Sequence, residues 1–304
     1  MLNVVHICGD RMDNIYALLE PLDGGLEDHN GLAHWNGNKW EWIRRFENAY
    51  ALQFDMRYVS GKVHIVDDRG TTLVVDATGK TDQLAKPAVE DLSGGQRNYW
   101  LTLFRGFDFI GPDQVGLVGD EGVFFVRDAG RWHLVETHTR ANLGSILGTI
   151  PHCYITGDDG LVLRYDGKTC YRMHEREGDL LAHIDRGTDG SFFISFCRQD
   201  QKGGLLKLED DTFQRIPCGL NLGSIAVVSA EEVYVCDGNG SGLYLWNRDK
   251  LELKLAGLYG AIAKIEGYFC FGTGPRPLNG DAIYYGPPFG PKISIDLDPE
   301  YLAQ

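Results

Sequence analysis

Basic residues are scarce in this 304-residue chain: 29 lysines and arginines stand against 43 aspartates and glutamates, a formal net charge of −14. A surface that negative excludes tight binding to nucleic acid or to an anionic membrane, both of which need cationic faces. It suits a basic protein partner. Long apolar runs are missing too, so no segment reads as a membrane-spanning helix. The opening Met1-Leu2-Asn3-Val4-Val5-His6 has neither the basic flank nor the apolar stretch of a secretory signal. The seven cysteines (Cys8, Cys153, Cys170, Cys197, Cys218, Cys236 and Cys270) are odd in number and widely spaced, with no CxxC pair. A disulfide framework and a zinc site are both unsupported by such spacing. These absences together predict a cytoplasmic protein with reduced thiols. Proline is also rare, 11 residues against 39 glycines, which fits many tight turns rather than a disordered tail.

The glycines carry the organising pattern. Gly31, Gly70, Gly122, Gly160, Gly204, Gly242 and Gly280 recur at intervals of about 40 residues, each opening a short β-rich run. A second turn position follows six residues later: Gly37, Asp76, Asp128, Asp166, Asp210, Arg248 and Gly286. The clearest unit contains Cys153-Tyr154-Ile155-Thr156, the turn Gly157-Asp158-Asp159-Gly160, the apolar strand Leu161-Val162-Leu163-Arg164-Tyr165, the hairpin turn Asp166-Gly167 and an outer strand from Thr169. Gly119-Asp120-Glu121-Gly122 opens the same sequence of events one unit earlier. Asn142-Leu143-Gly144-Ser145-Ile146 and Asn221-Leu222-Gly223-Ser224-Ile225 repeat five residues identically, each just before an inner strand. The expected fold is therefore all-β: a single seven-bladed β-propeller of four-stranded antiparallel blades over 1–304. Six blades is the alternative, should units one and two merge. The strand order runs in phase with the chain, leaving no spare strand for an interlocked closing blade. A long surface loop is expected at 84–99.

The stretches Gly157-Asp158-Asp159-Gly160…Arg164-Tyr165-Asp166-Gly167-Lys168-Thr169 and Asn36-Gly37-Asn38-Lys39-Trp40 resemble a bacterial propeller repeat related to the Asp-box (BNR) repeats and to the photosystem assembly factor-like propellers. The resemblance covers units one, three and four by residue type and the others by spacing. It implies a propeller and no single activity, since such propellers include hydrolases, lectins and scaffolds. The full Asp-box pattern is absent, Cys170 standing near its tryptophan.

Motifs that suggest chemistry do not survive inspection. Leu92-Ser93-Gly94-Gly95-Gln96 spells an ABC-type signature after Gly79-Lys80-Thr81, but Val74 occupies the glycine position a phosphate loop requires. Arg215-Ile216-Pro217 matches a sialidase tripeptide but falls late, on an outer strand. Asp237 to Gly242 resembles half a calcium loop, with Arg248 where a bidentate glutamate belongs. Nine histidines show no HExxH, and no Gly-x-Ser-x-Gly occurs. The inner-strand polar candidates, around Gly144-Ser145, His183-Asp185, Gly223-Ser224 and Lys264, do not form a catalytic set. The expectation is a non-enzyme with no metal and no cofactor. Trp35, Trp40, Trp42 and Tyr284-Tyr285 keep a lectin reading, or a glycan-acting enzyme, as the alternative.

One pattern points to function. The turns after the second strand of each blade carry Asp28, Asp67, Asp68, Asp120, Glu121, Asp158, Asp159, Asp200 and Asp237. In a propeller these turns share a face with the blade-to-blade loops. A ring of carboxylates there would steer a cationic partner. Aspartate is equally a good turn former. The expected function is a cytoplasmic bacterial protein-binding propeller, an immunity or chaperone-like protein that occludes a basic toxin or effector. Its specificity elements would be the loops at 84–99, 274–280 and 286–291.

Overall fold

The computed structural model describes residues 2–21, 30–46, 54–84, 87, 103–199, 203–237, 242–248, 250–256, 259–265, 268–273, 282–284 and 292–294. Within them the chain folds into seven four-stranded antiparallel sheets, each built from four consecutive strands. The inner strands are Leu2–Arg11, Phe54–Val59, Phe104–Gly111, Leu143–Thr149, Leu180–Arg186, Leu222–Ser229 and Tyr259–Ile265. Each packs beside the next, and the seventh packs beside the first, so the ring closes. The result is a seven-bladed β-propeller. Units one and two are separate sheets, and among the described residues no strand is exchanged between the first and last blades. Of the expected loop at 84–99, Leu84 ends the outer strand of blade two. The remainder, apart from residue 87, lies outside the described residues.

A blade wedged between two others must be apolar on both faces, and the sequence obeys this rule where it matters. The second and third strands are near-continuous apolar runs, as in Phe192–Cys197, buried along almost its whole length. The outer strands alternate, as in Thr212–Pro217, because only part of each is covered. Side chains from adjacent blades meet in a hydrophobic cluster at each seam. Ile265 of blade seven joins Val4, Ile7, Ile15 and Leu19 of blade one at the closing seam. Phe193 and Leu205 of blade five join Ile225, Val233 and Trp246 of blade six. Fully burying each such side chain contributes about 1.5–3 kcal/mol, so adhesion between blades is mainly apolar.

Polar clasps add register to that adhesion. Asn142, at the entry to blade four, accepts from the backbone N–H of Glu121 in blade three (3.1 Å) and donates from Nδ2 to Asp158 (2.8 Å). Its carbonyl accepts from the N–H of Asp158. Asn221, its repeat equivalent at the entry to blade six, accepts from the N–H of Arg198 in blade five (2.9 Å). The repeated Asn-Leu-Gly-Ser-Ile is thus a device that fixes one blade's turn to the next blade's inner strand.

Candidate binding face and polar axis

Strands alternate in direction, so the turns after second strands and the blade-to-blade connections emerge on one face. The turns after first and third strands emerge on the other. The seven predicted acids among the described residues fall on the first face, in four situations. Asp67 closes its own turn, its Oδ1 accepting from the N–H groups of Arg69 (3.0 Å) and Thr71 (2.6 Å). Asp120 pairs with Arg105, and Asp158 is held by Asn142. Asp68 and Asp237 are each only 4% exposed. Glu121 and Asp159 are exposed, each at the tip of a short 3-10 turn with left-handed backbone (φ 58° and 55°). Asp28 and Asp200 lie outside the described residues.

The two exposed acids occupy equivalent positions in adjacent blades, and their turns are rigidly tied. Besides the Asn142 clasp, the N–H of Asp120 bonds Leu103 and the N–H of Arg176 bonds the carbonyl of Asp159. On the same face Leu103 and Leu180 are 41% and 54% exposed. Glu136, Glu175 and Glu177 are exposed there as well, together with Arg69, Arg140 and Arg176.

Around the axis the structure assembles a polar set that sequence reasoning largely missed. Asp55 and Arg57 of blade two form an ion pair at 2.5 Å, and Arg57 also faces Asp108 of blade three at 3.7 Å. Each carboxylate reaches forward to a backbone N–H of the following blade: Asp55 to Phe107 (3.1 Å), Asp108 to Gly148 (3.2 Å) and Asp185 to Val227 (2.7 Å). His183 accepts from Ile225 N–H at 3.5 Å. Lys264 of blade seven pairs with Asp185 (2.8 Å) and donates to the carbonyls of Arg186 (2.5 Å) and Val227 (2.9 Å). Burial pushes Asp108 up to about 6, with Arg57 opposing, and burial lowers His183. Of this set the sequence singled out His183, Asp185 and Lys264. Asp55, Arg57 and Asp108 were readable only as D-x-R and F-D-F patterns, once those stretches were known to be inner strands.

The remaining motifs have structural explanations. Arg215 stacks on Phe196 (3.9 Å) and, with Arg198, binds Asp179, whose side chain is fully buried. The tripeptide at 215–217 is therefore an outer-strand anchor. Gly79 is a left-handed turn residue (φ 80°) leading into the strand Thr81–Leu84, while 92–96 lie outside the described residues, as do 238–241 of the calcium-like stretch. Trp40 is buried, and Trp35 and Trp42 pack against its cluster rather than standing as open platforms. Tyr285 lies outside the described residues, and only the backbone of Tyr284 is described. No cluster of three or more metal-ligating side chains occurs among the described residues, and no helix there is long and apolar enough to cross a membrane.

The fold and its broad loop-bearing face place the chain among the β-propellers. No sequence family matches it, and no curated protein matches by sequence. Solved propellers match by shape. "YCF48 bound to D1 peptide" superposes with a TM-score of 0.61 at 9% identity, over 88% of this chain and 89% of that one. YCF48 from Cyanidioschyzon merolae gives 0.60 at 12% identity, over 89% and 92%. BamB from Moraxella catarrhalis gives 0.55 at 14%, over 89% and 80%. At such identities the likeness establishes the fold alone.

Proposed function

We propose that this propeller is a non-enzymatic protein-binding module that docks a basic partner on its loop-bearing face. The observation that carries the reading is the pair of exposed carboxylates, Glu121 and Asp159, held on matching rigid turns of adjacent blades beside exposed Leu103 and Leu180. Rigid acids raise the association rate of a cationic partner, and exposed apolar side chains supply affinity. A solved propeller of similar shape is described as bound to a peptide, which favours a protein ligand. The axial carboxylates are engaged in joining blades, which argues for a structural rather than a catalytic role.

In its most specific form the proposal is a cytoplasmic immunity or chaperone-like protein that covers the working surface of a basic toxin or effector, drawing on the net charge of −14. A tagged pull-down from the native host at low salt, followed by kinetics on the recovered partner, tests it. A stoichiometric basic protein is expected. The double variant Glu121→Lys/Asp159→Lys should slow its association by about tenfold or more at low salt, with little change in thermal stability. Association unaffected by the double variant, or a partner that is not basic, would overturn the reading.

A further inference from the structure

Blades four and five meet at the loop-bearing face through a cluster of charged groups. The outer strand of blade four ends at His174. Its ring is turned toward blade five, with its centroid 6.1 Å from that of Phe213. The Nε2 atom is buried there with no hydrogen-bond partner among the described residues. Asp179 closes the connection that His174 opens. Its Oδ1 accepts from Arg198 (2.8 Å) and Arg215 (3.3 Å), and its Oδ2 accepts from Arg215. Both ends of the connection at 175–179 are therefore fixed in one seam. Its middle holds a neighbour. The N–H of Arg176 donates to the carbonyl of Asp159 (2.9 Å), and a Cβ on Gly160 would lie 2.7 Å from the Arg176 carbonyl oxygen. The turn that presents Asp159 is thus held by a strap anchored at His174 and Asp179.

That anchorage suits an uncharged ring. Burial lowers the pKa of His174, opposed by Asp179 and aided by Arg215 and Arg176. The other charges around the ring are engaged elsewhere. Arg172 and Glu175 pair with each other (2.6 Å), Arg164 turns to Asp211 (3.2 Å), and Asp158 is held by Asn142. A protonated ring would bring a full charge and two N–H groups into a site that already holds guanidinium groups. Asp179 is the carboxylate that acts on it, and both oxygens of Asp179 are already engaged. The charged ring must then leave the seam or displace Arg215 from Asp179. Either movement shifts an end of the strap.

We propose that His174 is an acid-operated trigger: protonation of its ring releases the strap at 175–179 and, with it, the turn that presents Asp159. A ring whose charged form is disfavoured in place stabilises the closed arrangement above its free pKa, near 6.5, and that stabilisation is lost as pH falls through the lowered value. Mild acid therefore unseats one of the two carboxylates offered to a basic partner. That consequence rests on the docking reading given above; the loosening of the turn does not.

NMR of the whole protein without partner, taken from about pH 7.5 to about pH 5.5, tests the trigger. The Gly160 amide signal should shift or broaden in step with titration of the His174 ring. His174→Phe and His174→Asn, both uncharged, should each abolish that response, while His64→Phe, in blade two, leaves it intact. Melting of each variant at neutral pH confirms folding. A Gly160 signal indifferent to pH, or one that still responds in both His174 variants, would overturn the inference. Stopped-flow dissociation of the recovered basic partner then separates the trigger from the docking. The native protein should release it about fivefold faster or more at the lower pH, and His174→Phe should not. Equal release at both pH values, with Gly160 responding, would uphold the trigger and overturn the docking reading.

Discussion

At the scale of the residue, glycines at different turns do different physical jobs. Gly122 sits at φ 72°, and a Cβ there would lie 2.2 Å from the carbonyl oxygen of Thr139. Gly61 sits at φ 80° with nothing within 4 Å of such a Cβ. Alanine at Gly61 should therefore cost only the left-handed backbone penalty, about 1 kcal/mol. Alanine at Gly122 adds a collision with backbone and should cost about 2–4 kcal/mol. Urea unfolding midpoints of the two variants check the contrast. Equal losses would mean that the turn after the second strand yields more easily than its contacts suggest. The glycine spacing was legible from sequence because either cause, backbone conformation or close approach, leaves the same letter. Which cause acts at a given position was not, because it depends on atoms from a neighbouring segment.

At the scale of the element, the third strands and the outer strands of blades three to five fall where their turn signals put them. The inner strands were harder. Phe54–Val59 reads as a mixed polar segment, because Asp55 and Arg57 interrupt its apolar residues. Those side chains are tolerated since each finds a partner on the next blade, and a partner 52 residues away in sequence leaves no local trace. The acidic turns were visible as a set, yet their division into exposed, paired and buried members depends on Arg105 and Asn142, supplied by other strands. Asp179 shows how strongly such a long-range tie acts. It enters from the connection before the inner strand of blade five and binds Arg198, just past the second strand, and Arg215, on the outer strand. Burial opposes its ionisation, but the hydrogen bonds and charges of Arg215 and Arg198 prevail and hold its pKa below the usual carboxylate range. Asp179→Ala should cost about 3–5 kcal/mol, because it removes the carboxylate from between two guanidinium groups. Chemical unfolding measures the loss. A cost below about 1 kcal/mol would show that solvent replaces the carboxylate freely.

At the scale of the whole molecule, stability should fall on mild acidification, well before the bulk of the carboxylates titrate. Burial lowers the pKa of His34, His64, His174 and His183, that of His64 to about 4. A group depressed in the folded state stabilises fully above its unfolded value, near 6.5, and that contribution is lost as pH falls through the folded value. Asp108, raised to about 6, works the other way: its contribution is complete below about 3.8 and lost as pH rises through 6. Four histidines against one aspartate give a net decline in melting temperature between pH 7 and pH 4.5. His64→Phe should flatten the decline and Asp108→Asn should steepen it. Differential scanning fluorimetry across that interval decides, and a flat wild-type profile would contradict the burial of these rings.

Every blade consists of four strands consecutive in the chain, and among the described residues the first and last blades meet without trading one. The wheel is therefore assembled like staves in a hoopless cask, held edge to edge by the fit of its sides. Severing the connection between Leu134 and Leu143 would divide three whole sheets from four and unpick none of them. Cohesion of the two pieces would then depend on the apolar seams and on ties such as Asn142 to Glu121 and Asp108 to Gly148, and the covalent chain would serve chiefly to keep the staves in order.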